Sequence, residues 1–234
     1  MIIYLLSADV PDANVTFERH RNRDVRRVTI THGIAAGDVA DRVLATFTDD
    51  ERSASAGLIE ALIIDTHGSP GTIHLGGIED DDYDINIDNA NDFSIPFRRL
   101  MKSMDAGGEG VEIHSCGVAG GSIDHITDEE DDGDLGFRFI YRLACGFETR
   151  VRASASDQIP DGEGLFEGTL VEAMPGDESD SPRSHLVSVR DPRLVRPGGF
   201  LARVEAMFLS TNDPEYVPGG VPFSDPREVH RPRW

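Results

Sequence analysis

The chain has 234 residues, enough for one large domain with a sizeable core, and its 38% apolar and 28% charged residues are typical of a globular protein. Its formal net charge of −21 at pH 7 excludes nucleic acids and acidic membrane surfaces as partners, because both bind basic protein surfaces. Two cysteines are too few for a disulfide framework, so we expect free thiols and a cytoplasmic location.

The chain begins with elements typical of a sheet flanked by helices. Ile2–Leu6 and Arg26–Thr31 are rich in apolar and β-branched residues and are followed by turn residues, so we predict a strand in each. From Gly37, apolar residues recur at helical spacing, which predicts a helix over residues 37–49. The apolar start carries no positive charge before it, and no apolar run is long enough to cross a bilayer, so we expect neither a signal peptide nor a membrane span.

The middle of the chain continues the alternation of strands and helices. Leu58–Asp65 predicts a buried strand, and Gly71–Gly76 predicts a short hairpin arm. Apolar residues over 97–104 predict a second helix, with Ser94 as its N-cap and Pro96 in its first turn. A strand, a helix and a strand are predicted next: Val111–Ser115, Phe139–Phe147 and Thr149–Ser154.

This order of elements predicts an α/β fold. From residue 58 to residue 154 strands alternate with helices, which favours a mostly parallel central sheet with helices on both faces and right-handed crossovers. Beyond residue 157 the chain is rich in glycine and proline, with further strands predicted at Leu165–Ala173 and Leu201–Leu209. We predict a single domain over residues 1–210 and a proline-rich tail over residues 211–234.

Two of the predicted strands end in chemically reactive side chains. Thr66-His67-Gly68-Ser69-Pro70 follows the first, and Ser115-Cys116-Gly117 follows the second. Because ligands collect at the carboxyl ends of the strands in an open α/β sheet, His67 and Cys116 could meet in one crevice. A thiolate, a base beside it and backbone donors around it are the groups that acyl transfer requires.

The two motifs resemble those of the caspase-like (clan CD) cysteine peptidases, which include caspases, metacaspases, gingipains and the bacterial CHAT domains. The 49 residues from His67 to Cys116 match the caspase spacing of about 50, and the resemblance extends over about residues 58–156. It implies a caspase-like three-layer α/β/α sandwich and a cysteine endopeptidase that acts on proteins or peptides. It also implies roles for single residues: Cys116 as nucleophile, His67 as general base, and the amides of Gly68 and Cys116 as the oxyanion hole.

Substrate preference is less well defined, because His114-Ser115-Cys116-Gly117-Val118 departs from the caspase pattern Gln-Ala-Cys-x-Gly. Asp157 follows the strand that ends at Ser154, where the resemblance implies part of the primary substrate pocket. Asp65 precedes His67 by two residues and lies on the same side of its strand. Both aspartates favour Arg or Lys before the scissile bond, and for both a solvated loop position is the alternative.

Three alternatives stay open. We expect no resident cofactor, although the acidic stretch Asp80–Asp88 places oxygen atoms at alternate residues and so permits calcium; a solvated loop or a cleaved activation segment fits the same pattern. His114 and Cys116, with His67 or His125, could instead hold zinc in a metal-dependent hydrolase. The chain could also be a catalytically silent interaction module with the same fold.

The remaining candidates are expected to be structural. Cys145 lies near the apolar face of its predicted helix and is expected to pack in the core, while His74 and His125 are expected at the polar surface. An activating or regulatory partner protein is an open expectation.

Overall fold

The computed structural model describes residues 1–8, 10, 16–31, 34–54, 57–75, 83–120, 135–156, 158, 164–176 and 185–196, with the side chains of residues 52–54 excepted. Seven strands form the main sheet: β1 Ile2–Ser7, β2 Val25–Ile30, β3 Ala61–Asp65, β6 Gly110–His114, β7 Val151–Ser154, β8 Leu170–Ala173 and β9 Leu186–Val189. A separate hairpin is made of β4 His67–Ser69 and β5 Thr72–His74.

The strand order of the main sheet is β2-β1-β3-β6-β7-β8-β9. The first five strands pair in parallel, and β8 and β9 pair antiparallel at one edge. The described α-helices are α1 Ala36–Leu44, α2 Asp49–Ala54, α3 Ala90–Ser94 and α4 Leu135–Phe147, and 3-10 turns occur at Glu18–His20, Ile95–Phe97 and Met104–Ala106. The prediction of an α/β fold with a mostly parallel central sheet is therefore confirmed.

Helices α1, α3 and α4 pack on one face of the sheet and share one apolar core with it. Phe93 lies at the centre of this layer, with its ring centroid 5.7 Å from Phe97 and 5.6 Å from Phe147. On the sheet side, Leu62 and Ile113 are fully buried. Each such side chain contributes about 1.5–3 kcal/mol when it leaves water, so this face supplies much of the stability.

The second face of the sheet is covered differently. Ile2, Tyr4 and Ile63 pack there against Phe17, which immediately precedes the 3-10 turn Glu18–His20. The expectation of helices on both faces is not met among the described residues, where irregular segments cover this face. This face also carries the buried carboxyl of Glu112, whose charged partners are Arg19 and Arg152.

The crossovers have a consistent hand. The connection from β1 to β2 runs one way across the sheet and passes over the second face through Phe17. The connections from β2 to β3, β3 to β6 and β6 to β7 run the other way and carry α1, α3 and α4 over the first face. Opposite directions on opposite faces give all four connections the same hand, as parallel crossovers require.

Two predicted helices differ from the observed ones. The first ends at Leu44, and α2 begins separately at Asp49. The second begins earlier, at Ala90, and ends at Ser94. The predicted N-cap role of Ser94 is wrong, because its hydroxyl donates to Ala90 O at 2.7 Å within this helix. Pro96 does lie in the following 3-10 turn, at its start.

Leu100 and Met101 are buried for a reason other than helix formation. Ile59 N donates to Leu100 O at 2.8 Å, and Lys102 N donates to Ile59 O at 2.7 Å, so this segment runs beside the chain leading into β3. The predicted strands other than Leu201–Leu209 correspond to observed ones, with bounds that differ by a few residues. The segment 201–209 and the tail lie outside the described residues. Within the part of the chain that the structure describes, no helix combines the length and apolar character needed to cross a bilayer.

Candidate functional site

The pairing of β3 with β6 brings the two reactive motifs to the same edge of the sheet. The register aligns Asp65 with His114, the last residues of the two parallel strands. One residue further, the hydroxyls of Thr66 and Ser115 lie 2.9 Å apart, and both side chains are buried. His67 and Cys116 are the next residues after these two strands, so they follow neighbouring strands at adjacent positions.

The Thr66 hydroxyl also ties the pair to the backbone of His67. It donates to His67 O at 2.9 Å, and a hydroxyl has only one hydrogen to donate. The Ser115 hydroxyl must therefore be the donor in its bond to Thr66. The resulting series, Ser115 to Thr66 to the carbonyl of His67, connects the residue before Cys116 with the backbone of the candidate base.

Gly68 allows the hairpin to lie against the loop that bears Cys116. A Cβ at Gly68 would lie 2.7 Å from Ser115 Cβ and 2.7 Å from Val118 Cγ2, closer than carbon atoms approach. Gly71 N donates to Val118 O at 3.0 Å and so attaches the hairpin turn to the same loop. The hairpin and the Cys116 loop are thus packed together with no room for a side chain between them.

The amide of Gly68 points away from its hairpin partner. Ile73, which pairs with Gly68, uses both its N–H and its C=O in 2.9 Å bonds to Ile85. In an antiparallel pair these groups then cannot also bond across the hairpin, so Gly68 N–H is directed to the opposite side. The Gly68 N–H therefore lies on the outer side of the hairpin, away from β5.

Cys116 begins a tight loop held by the segment after β7. Its side chain is partly buried, and its Sγ–H donates to Gln158 O at 3.8 Å. Gly117 has φ of +59°, and its N–H donates to Ser156 O at 3.0 Å. The first turn of α4 closes the other side, where a Cβ on Gly136 would lie 2.2 Å from Gly120 O. Within the loop, a Cβ on Gly120 would lie 3.0 Å from both Ala155 O and Gly117 O, so this position also favours glycine.

Asp65 lies near both histidines at this edge. Burial raises the pKa of the Asp65 carboxyl, and the nearby His114 and His67 partly offset that rise. Its carboxyl shares the second face of the sheet with His114, its partner in the β3–β6 register. Asp157, the other aspartate predicted to bind substrate, lies outside the described residues.

His114 is committed to contacts on the second face. Its Nε2 lies 3.1 Å from Glu112 Oε2, and its ring stacks on Phe166 with centroids 4.1 Å apart. Among the described residues, no group of three or more His, Cys, Asp and Glu side chains has the arrangement of a metal site. His125, one of the histidines considered for zinc, lies outside them.

Glu112 is the most buried charge beside the site. Burial would raise the pKa of this carboxyl, but the hydrogen bond from His114 and the charges of Arg19 and Arg152 lower it to about 2. Arg19 Nη2 contacts Glu112 Oε2 directly, and Arg152 Nη1 lies 3.5 Å from Oε1. The signal in the sequence is a glutamate inside an otherwise apolar strand, which requires charged partners.

The acidic stretch uses its described oxygen atoms in local bonds. Asp84 Oδ1 lies 2.8 Å from His74 Nδ1. Asn86 Oδ1 accepts from Asp88 N at 3.0 Å, and Asn89 Oδ1 accepts from Asn86 N at 2.9 Å. The bonds of Asn86 and Asn89 form turns, and residues 80–82 of the stretch considered for calcium lie outside the described part.

One cysteine and one histidine complete the set of sequence predictions. Cys145 is buried in α4, and its Sγ–H donates to Gly176 O at 3.4 Å, so its predicted role in packing is confirmed. The surface position predicted for His74 is wrong: its side chain is only 15% exposed and contacts both Asp84 and Ser69. The hairpin turn Pro70-Gly71 was the signal that Ser69 and His74 would meet across two short strands.

No protein-family model matches the chain, and no curated protein or solved structure shows significant similarity to it.

Proposed function

We propose that the chain is a cysteine endopeptidase of caspase-like type, with Cys116 as nucleophile and His67 as general base. The observation that carries the proposal is the hydroxyl bond between Thr66 and Ser115, the residues directly before the candidate pair. This bond supports a site in which two reactive residues follow adjacent parallel strands, at the edge of the sheet where α/β folds bind ligands.

The proposed reaction is acyl transfer through a thioester. His67 takes the proton of the Cys116 thiol, Sγ attacks the scissile carbonyl carbon to form an S–C bond, and the C–N bond breaks as His67 passes that proton to the leaving amine. Water then attacks the thioester while His67 takes its proton; the C–S bond breaks, the acid is released, and His67 returns the proton to Sγ. Residues that keep the hairpin against the Cys116 loop, Gly68 and Val118 among them, support this geometry.

The proposed oxyanion hole consists of the amides of Gly68 and Cys116. The outward direction of Gly68 N–H supports its part in this role. The neighbouring amide of Gly117 is already bonded to Ser156 O, and the caspase-like resemblance implies the Cys116 amide as the donor from this loop. Two such donors stabilise the charge that develops on the carbonyl oxygen in the transition state.

We propose a basic residue, Arg or Lys, before the scissile bond. Asp65 supports this preference, because burial disfavours its charged form and a bound cation would relieve that cost. The net charge of −21 favours basic substrates through long-range attraction. We propose the same substrate-binding role for Asp157, because it follows the strand that ends at Ser154.

The fold part of the proposal is a caspase-like three-layer α/β/α sandwich in one domain over residues 1–210. The single sheet formed by strands from Ile2 to Val189 and the helical layer on its first face support it. The third layer would cover the second face beside Phe17 and Phe166.

A peptide library incubated with the full chain tests the activity. We expect cleavage after basic residues by the wild type and by Cys145→Ala, whose thiol is buried away from the site. Cys116→Ala and His67→Ala should each lose at least about 100-fold in kcat/KM, the usual effect of removing a nucleophile or a base. Unchanged cleavage by either variant would sink the assignment.

The silent interaction module remains the second candidate, because the Cys116 thiol is partly buried and donates to Gln158 O. Iodoacetamide labelling at pH 6 separates the two. A thiolate held by His67 should react at this pH, and reaction should slow at least about tenfold in His67→Ala. Equal and slow labelling of both proteins would favour the silent module.

A further inference from the structure

The hairpin carries a second hydrogen-bonded set of side chains, on the face that also bears His67. His74 Nδ1 lies 2.8 Å from Asp84 Oδ1, and His74 Nε2 lies 3.3 Å from Ser69 Oγ. The side chains of Asp84 and His74 are 10% and 15% exposed, whereas Ser69 is of intermediate exposure. An acid, a histidine and a serine thus lie in series, with each ring nitrogen of the histidine used once.

The backbone explains why these three side chains meet. Ser69 pairs with Thr72 and His67 pairs with His74, and alternation puts these four residues on one side of the hairpin. Gly68 and Ile73 lie on the other side, against the Cys116 loop and the core. Asp84 is held in reach because its neighbour Ile85 makes two backbone bonds to Ile73.

The atoms involved set the direction of the hydrogen bonds. A carboxylate only accepts, so Nδ1 of His74 carries a hydrogen and donates it to Asp84. In the neutral ring Nε2 is then an acceptor, and it faces the hydroxyl of Ser69. This is the arrangement by which serine hydrolases activate their nucleophile, which is recognised by geometry and roles rather than by sequence order.

We propose that Ser69 is a second nucleophile of this chain, with His74 as its general base and Asp84 as the positioning residue. Its substrates are uncharged or cationic carboxylic esters, since the net charge of −21 repels anions. Ser69 Oγ forms a bond to the carbonyl carbon, the ester C–O bond breaks, and the serine proton passes through His74 Nε2 to the leaving alkoxide. Water then attacks the acyl-serine while His74 takes its proton; the bond from the carbonyl carbon to Ser69 Oγ breaks, the acid is released, and His74 returns the proton to Oγ. This chemistry is independent of Cys116.

A fluorophosphonate probe tests the proposal on the full chain carrying Cys116→Ala. The serine oxygen displaces fluoride from phosphorus, and peptide mass spectrometry identifies the labelled residue. We expect the label on Ser69, with rates about 100-fold lower in His74→Ala and Asp84→Asn. The rate should rise with pH through one titration in the reference protein and not in His74→Ala. The exposed Ser103, whose hydroxyl only accepts from Ala106 N, supplies the matched control Ser103→Ala, which should label normally.

Thermal unfolding of each variant checks that it is folded. Hydrolysis of p-nitrophenyl acetate by the Cys116→Ala protein gives a second readout, and this hydrolysis should be lost when Ser69→Ala is added. Absence of label on Ser69 in the folded protein overturns the proposal. So does a labelling rate that His74→Ala and Asp84→Asn leave unchanged, since the three groups would then only brace the hairpin. Because every arm lacks the Cys116 thiol, these outcomes are separate from the fate of the proposed peptidase activity.

Discussion

Thr66 and Ser115 face each other across the ends of β3 and β6 with their hydroxyl oxygens 2.9 Å apart and both side chains buried. The Thr66 hydroxyl donates to His67 O, so the two hydrogen bonds together connect the backbone of His67 with the residue before Cys116. The bond between Thr66 and Ser115 is a long-range contact between residues 49 apart in the chain, and it holds together the two halves of the site.

Thr66→Val tests the importance of this bond. Valine has nearly the same shape but leaves the Ser115 hydroxyl buried without its acceptor, so we expect a loss of about 1–3 kcal/mol in the free energy of unfolding. Peptidase kcat/KM should fall about tenfold or more, because small displacements between reacting groups are costly. Ser115→Ala should cost less, since Thr66 keeps its bond to His67 O. Urea unfolding of both single variants and the double variant should give a coupling energy of about 0.5–1.5 kcal/mol, and strict additivity would contradict the bond.

Gly68→Ala should separate the hairpin from the Cys116 loop. The new Cβ would lie 2.7 Å from Ser115 Cβ and Val118 Cγ2, so we expect a loss of about 1–3 kcal/mol in stability together with loss of cleavage. Gly37→Ala is the matched control: its Cβ would meet only Asp92 O at 3.9 Å, inside α1. That variant should gain about 0.5–1 kcal/mol and keep its activity. Equal behaviour of the two variants would contradict the packing described.

Asp65→Asn should alter specificity more than stability. Since burial raises the pKa of Asp65 in the folded state, folding favours its neutral form, and its charge lowers stability as the pH rises above the unfolded value. At pH 7 the variant should therefore be as stable as the wild type or more stable. Cleavage after Arg should fall about tenfold or more, while cleavage after a neutral residue persists. An equal loss for both substrates would show that Asp65 does not bind the basic side chain.

Glu112→Gln should strongly destabilise the second face. Its carboxyl is fully buried between Arg19 and Arg152, and removing one partner of a buried ion pair costs about 3–5 kcal/mol. Because His114 and the two arginines overcome burial and lower the pKa of Glu112 to about 2, its contribution is complete above the unfolded value of 4.5 and is lost as the pH falls towards 2. The difference in stability between wild type and variant should shrink over that window.

Chemical denaturation at pH 7, 4.5 and 3 measures this difference. Glu148→Gln is the control, because Glu148 is 61% exposed in its pair with Arg98 and should change stability by less than about 1 kcal/mol at every pH. A constant penalty for Glu112→Gln from pH 7 to pH 3 would contradict the ion cluster.

The sequence predicted the strands better than the helices. Ile2–Ser7 and Ala61–Asp65 are apolar on both faces because the sheet is covered on both sides, and such runs are visible locally. The predicted second helix was wrong in position because Leu100 and Met101 have helical spacing but pack beside Ile59. Spacing alone does not distinguish burial within a helix from burial beside a strand.

The placement of the two motifs at the ends of neighbouring parallel strands was predicted correctly. His67, Gly68 and Cys116 could be located because each follows an apolar strand, and parallel strands share one edge. The bond of Arg19 to Glu112 depends on a contact across 93 residues. Tertiary packing decides such a bond, so no local pattern predicts which partners meet.

The central claim is the thioester on Cys116. Rapid mixing of the full chain with a peptide substrate that contains Arg, followed by acid quenching and peptide mass spectrometry, measures it directly. We expect the acyl fragment on Cys116 in the wild type and in Cys145→Ala, and none in Cys116→Ala. Cleavage that proceeds with no acyl group on Cys116, or an acyl group on Cys145 instead, would contradict the proposed peptidase.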